Sequence, residues 1–260
     1  MFLYANGCSM TFGSELMGDD DNLTIDTELL NRKRLRQAWP GRLAEKLGCK
    51  GHHNDAVGGC TNEMIVRNLL VWITQEWLEK GKDPKELFVV LNWTQITRWE
   101  FFYDGVYDTV FGGHDPFNNR PAEFKRFWAR FEDYGCGDPW LGWRKFIVQV
   151  VQVQAFLENH GIQYAMGFGV VSPKRMVMKW LKDYNSPALI VDYYKFSELV
   201  NKRRFLGFHV VDSGLCQFLY KNGWTDDDLA PRGHPRADGH EAWAENLKLW
   251  IRSERLMEAD

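Results

Sequence analysis

A three-layer α/β sandwich around a central parallel sheet is the fold class that the sequence predicts, and three observations predict it. Short apolar runs alternate with longer amphipathic stretches along the 260 residues, the pattern of strand and helix units wound in turn. The run Leu87-Phe88-Val89-Val90-Leu91 is apolar throughout, as a parallel strand covered on both faces requires. Neither an internal repeat nor a linker-like change of composition divides the chain, so residues 1–260 read as one domain. With 45% hydrophobic residues, a chain of this length can bury a large single core.

Phe2-Leu3-Tyr4-Ala5 is too short for a helix and stops at Asn6-Gly7, so it reads as the first strand. Ser9 follows directly. In an open α/β sheet, ligands gather outside the carboxyl ends of the strands, which makes Ser9 a candidate nucleophile. Serine is also a favoured N-cap, and Ser9 has that second reading.

The acidic Asp19-Asp20-Asp21 and the basic Arg32-Lys33-Arg34 read as solvated segments. Trp39 to Leu47 is a helix with Pro40 in its first turn, Trp39, Leu43 and Leu47 on one face, and Gly48 as its stop. A short segment at His52 to Asn54 leads into Asp55-Ala56-Val57-Gly58-Gly59-Cys60-Thr61-Asn62. Two glycines before a Thr61 or Asn62 cap permit a tight turn with exposed N–H groups, suited to a developing oxyanion or to a plain strand-to-helix connection. The next helix runs to about Leu78.

After the strand at Leu87–Leu91 come Asn92-Trp93-Thr94. Residues 99–140 are rich in aromatics and read as an insertion with a helix near 122–131, its rings serving either an acyl or sugar pocket or local packing. Trp143 to Glu158 is helical and ends at His160-Gly161. Gln163–Phe168 is a strand, residues 192–200 are helical, and Phe208–Asp212 is the last expected strand. His234 stands at the mouth of a final helix spanning 237–252, within which His240 packs or caps locally.

Gly7-Cys8-Ser9 at the start and Gly233-His234-Pro235 at the end together resemble the SGNH (GDSL-like) hydrolase superfamily. The resemblance lies in the order and setting of scattered blocks, and it implies the flavodoxin-like SGNH fold. It also implies Ser9 as nucleophile, His234 as base, and an oxyanion hole from the Ser9 and Gly59 N–H groups. The superfamily's third oxyanion donor is an Asn at the strand end. Here Thr94 holds that register with Asn92 two residues earlier, and either side chain is a candidate. An Asp usually precedes the His by three residues, or by two in some relatives. Those positions are Pro231 and Arg232, so the third triad member is unassigned, with Asp226, Asp227 and Asp228 nearby in sequence and a Ser-His dyad as the other arrangement.

The resemblance thus implies a serine esterase acting on the acyl ester of a small molecule or carbohydrate. A catalytically degenerate binding protein or an acyltransferase on the same fold is the alternative. A net charge of −3 gives no basic footprint for nucleic acid. No apolar run approaches the roughly 18 residues a membrane span needs, and a basic, then apolar, leader is not seen, so a cytoplasmic protein without membrane partner is expected. Five scattered cysteines with no C-x-x-C pair argue against a disulfide framework or zinc site, and no metal or cofactor is expected.

Overall fold

The structure, a computed structural model, describes residues 1–18, 28–103, 106–111, 122–133 and 138–258. The acidic Asp19–Asp21, Phe117, Tyr134 and Cys136 lie outside the described residues. Strands β1 (Phe2–Gly7), β2 (Gly51–Asn54), β3 (Leu87–Trp93) and β6 (Gln163–Phe168) form one sheet in the order β2-β1-β3-β6. Every pairing in it is parallel, with Gly7 beside Asn92 and Asn92 beside Gly167. β4 (Arg98–Tyr103) and β5 (Val106–Phe111) pair separately as an antiparallel hairpin.

Side chains alternate across the sheet with the period of two that a strand imposes. Tyr4, Val89, Leu91, Tyr164 and Met166 face one core, shared with α4 (Asn62–Trp72) and α6 (Pro139–Asn159). Leu3, Ala5, Phe88, Val90 and Ala165 face the other, shared with α3 (Trp39–Leu47), α9 (Leu215–Lys221) and α10 (Ala237–Ser253). Helices on both faces of a parallel sheet are the expected architecture. All seven residues of β3 are buried, which explains its unbroken apolar character.

The local signals act where they stand. Pro40 lies in the first turn of α3, which follows α2 (Glu28–Gln37), and Gly48 ends α3 in the left-handed conformation at φ 69°. Asp138 accepts the Trp140 N–H at 2.7 Å to start α6, which runs to Asn159. After α4 the chain continues through a π-helical turn at Ile73–Leu78, where the Trp77 indole N–H donates to the Asp83 carbonyl at 3.0 Å. The expected helix inside the aromatic segment is α5 (Ala122–Asp133). The β4–β5 hairpin before it was not expected. Phe101 and Phe127 meet edge to face at 5.5 Å, which packs the hairpin against α5.

Residues 208–212 are not a strand. Gly207 turns the chain at φ 69°, and the Ser213 hydroxyl donates to the Gly207 carbonyl at 2.7 Å and the Val210 carbonyl at 3.2 Å, folding the segment into a turn. The open edge of β6 receives instead a single parallel bridge, Met166 to Phe205, with the Leu206 N–H on the Met166 carbonyl at 2.8 Å. The valines at 210 and 211 that suggested a strand are exposed. Between β6 and this turn stand α7 (Lys174–Tyr184) and α8 (Pro187–Glu198). Among the described residues, no helix is long and apolar enough to cross a membrane.

β1 ends in a position that tolerates only glycine. A Cβ on Gly7 would lie 2.3 Å from Thr11 Oγ1 and 2.7 Å from the Asn92 carbonyl oxygen, and the latter is strand backbone that cannot swing away. Gly7→Ala is therefore expected to destabilise the protein by about 1–3 kcal/mol, read from the urea denaturation midpoint at unchanged slope.

Candidate functional site

The carboxyl edge of the sheet collects most of the singled-out residues. Ser9 is the first residue of α1 (Ser9–Phe12), a single turn whose N-cap is Cys8, so the serine hydroxyl is not spent on capping. Its N–H has no acceptor within the helix. Among the described residues Ser9 Oγ hydrogen-bonds neither His234 nor any other group, and the residue is half-buried.

The glycine loop is laced to the same strand end. The Asp55 N–H donates to the Ala5 carbonyl at 2.9 Å and the Val57 N–H to the Gly7 carbonyl at 3.3 Å, which also receives the Cys60 thiol at 3.1 Å. Asn54 Nδ2 reaches the Thr11 carbonyl at 2.9 Å. Gly58 stands against the turn after Ser9, where a Cβ would be 3.8 Å from Ser14 Oγ. Gly59 has φ 74°, a conformation that favours glycine, and nothing lies within 4 Å of where its Cβ would be. Neither the Ser9 nor the Gly59 N–H has a backbone acceptor among the described residues. Of the two proposed caps for the following helix, Thr61 is the one used: its hydroxyl accepts the Met64 N–H at 3.2 Å.

Asn62, the other proposed cap, instead ties this loop to the end of β3. Its Oδ1 accepts the Thr94 N–H at 2.9 Å and its Nδ2 donates to the Thr94 carbonyl at 3.4 Å. Arg98 adds a second tie, from a guanidinium N–H to the Cys60 carbonyl at 3.0 Å. Thr94 Oγ1 and both polar atoms of the Asn92 side chain are buried and without a hydrogen-bond partner. Asn92 projects beside Gly167, whose Cβ would lie 3.3 Å from Asn92 Oδ1.

His234 is held in a tight loop. The Ala230 N–H donates to the His234 carbonyl at 2.9 Å, and Gly233 adopts φ 79°. Its Nδ1 lies 2.5 Å from Oε2 of Glu15, and the two side chains are 12% and 1% exposed. The Arg232 N–H donates to the same carboxylate, at 3.1 and 3.3 Å from its two oxygens. Sequence reasoning missed Glu15. A signal was present: Glu15 is the only charged side chain in residues 1–18. Of the three aspartates near His234 in sequence, Asp226 accepts the Tyr220 hydroxyl at 2.6 Å and Asp228 forms part of a capping box with Thr225, and none is hydrogen-bonded to His234.

His240 packs, as expected. It is fully buried, its Nδ1 accepts the Trp39 N–H at 3.2 Å between α3 and α10, and burial pushes its pKa down to about 3. The cysteines at 8, 49, 60 and 216 are free, and burial pushes the Cys60 thiol up, away from a reactive thiolate. Among the described residues, no group of three or more His, Cys, Asp or Glu side chains is arranged to hold a metal ion.

A family model described as "Family of unknown function (DUF6071)" matches residues 17–260. No curated protein matches the chain. Among solved structures, the acetylxylan esterase Axe2 from Geobacillus stearothermophilus is 12% identical with a TM-score of 0.45, covering 96% of this chain and 93% of its own. TesA is 14% identical with a TM-score of 0.43, covering 98% and 99%. LAE5, an alpha/beta hydrolase enzyme from the metagenome of Lake Arreo, Spain, is 13% identical with a TM-score of 0.42, covering 99% and 96%.

Two outcomes follow. Asn62→Ala leaves the Thr94 N–H and carbonyl unpaired in the interior and is expected to cost about 1–3 kcal/mol in chemical denaturation. Because the folded-state pKa of His240 lies below the ordinary value of 6.5, the unfolded chain binds the extra proton first. Its contribution to stability is present above pH 6.5 and is lost as pH falls toward about 3. His240→Asn, which keeps an acceptor for the Trp39 N–H, is expected to flatten the pH dependence of the denaturation midpoint across this window, where one proton corresponds to about 1.4 kcal/mol per pH unit.

Proposed function

The chain belongs to the DUF6071 family of unknown function, matched over residues 17–260, and we propose that it is a serine-dependent hydrolase of acyl esters. One observation carries this reading. The turn that holds Ser9 and the loop that holds His234 are in direct contact through Glu15, although 219 positions separate Glu15 from His234. This contact supports a reading in which the Ser9 hydroxyl and the His234 imidazole act together at the sheet edge where α/β proteins bind ligands.

The chemistry follows from the contact. A carboxylate accepts only, so Nδ1 of His234 carries the proton and Nε2 presents a lone pair. Nε2 takes the Ser9 proton as Oγ attacks the ester carbonyl, and the tetrahedral oxyanion is met by the Ser9 and Gly59 N–H groups. Collapse breaks the bond to the alcohol, which leaves with the proton from His234. Water, deprotonated by the same nitrogen, then releases the acid and restores Ser9. Hydrogen bonds between nucleophile and base commonly tighten only when substrate is present, which accommodates the unbonded Ser9 hydroxyl. The unpaired Thr94 hydroxyl and the unpaired Asn92 amide at the end of β3 are the two candidates for a third donor, and Asn62 fixes the Thr94 backbone.

The substrate class is the acyl ester of a small molecule or carbohydrate, consistent with the resemblance of the Ser9 and His234 blocks to SGNH enzymes. The expected result is hydrolysis of 4-nitrophenyl acetate, with kcat/KM reduced at least about a thousand-fold in Ser9→Ala and in His234→Ala. Treatment with EDTA is expected to leave the rate unchanged. Full activity in both variants, or activity abolished by the chelator alone, would remove this reading.

A further inference from the structure

We propose that Glu15 is the positioning residue of His234: it occupies the triad place that an aspartate before the histidine would fill, from the nucleophile's own turn. The inference rests on the hydrolase reading above and adds to it the identity of the acid.

Four features of the chain converge on Glu15. Its carboxylate meets Nδ1, the ring atom away from the proposed proton transfer, at 2.5 Å. The side chain is 1% exposed. A carboxylate that buried is costly unless paired, and its pairing consists of the imidazole and the Arg232 N–H. The backbone at Glu15 is left-handed, φ 62°, a conformation unfavourable for a non-glycine residue. In this conformation the carboxylate lies against His234.

The fourth feature is complementary. At the two positions before His234 from which an aspartate would act, Pro231 has no acceptor side chain and Arg232 is cationic. The Arg232 backbone N–H points to Glu15 instead and fixes both of its oxygens. The loop before the histidine thus holds an acid that it does not itself supply. The chain order becomes Ser, Glu, His; nucleophile, acid and base recur in several orders on unrelated folds because only their geometry matters.

A purely structural staple between residue 15 and the 231–234 loop would affect stability without acting on the imidazole, and kinetics separate the two roles. The experiment compares full-length wild type, Ser9→Ala, Glu15→Gln and Glu15→Asp on 4-nitrophenyl acetate across pH, with the folded fraction of each measured by circular dichroism. Expected for Glu15→Gln is a fall in kcat of about a hundred- to ten-thousand-fold with little change in KM, since the residue orients the base rather than binding the ester. Glu15→Asp, which keeps the charge, is expected to recover part of kcat. Glu15→Gln with wild-type kcat beside an inactive Ser9→Ala overturns the role of Glu15 alone, as does a loss of kcat that only tracks the unfolded fraction. A wild type inert toward the ester, or a Ser9→Ala variant as active as wild type, removes the hydrolase reading and this inference with it.

Discussion

A buried carboxylate pressed against an imidazole is the constraint on which the site depends. Glu15 and His234 come from opposite ends of the chain, and their contact fixes three things together. It selects the tautomer of the ring, it draws the Ser9 turn to the loop at 230–234, and it compensates a carboxylate withdrawn from water. The backbone at Glu15 is left-handed where the contact is made.

The parallel sheet makes the encounter possible. With β1 and β3 side by side in the interior and all strands pointing the same way, the chain leaves each strand at one edge of the sheet. The Ser9 turn, the glycine loop and the Thr94 segment are therefore neighbours by topology. Side-chain ties then set their positions: Asn54 to the Thr11 carbonyl, Asn62 to Thr94 and Arg98 to the Cys60 carbonyl. Gly7 admits this crowding because Thr11 and the Asn92 backbone occupy the space a side chain would need.

Much of the fold was legible because its signals are local. The apolar run at Leu87–Leu91, Pro40 and Gly48 around α3, and the His160-Gly161 stop act through burial, a fixed φ or a left-handed end. The expected strand at Phe208–Asp212 failed because apolar residues were weighed without the Gly207 and Ser213 turn that bends them out of line. The β4–β5 hairpin was hidden in an aromatic segment that was read as an insertion with a helix only. In the site, Ser9, Gly59 and His234 stood out by their blocks, whereas Glu15 did not. A long-range carboxylate–imidazole pair leaves no spacing in the chain, and a lone Glu in an uncharged stretch gains meaning only once folding brings residues 231–234 over it.

The central claim is that Ser9 carries an activated hydroxyl at the meeting of the two chain ends. Peptide-level mass spectrometry after treatment with a fluorophosphonate tests it most directly, since such a reagent phosphonylates a serine that a neighbouring base has activated. The account predicts a single adduct on the peptide containing Ser9, absent when His234 is replaced by alanine. An unmodified Ser9 peptide, or an adduct there that forms equally well without the imidazole, would contradict it.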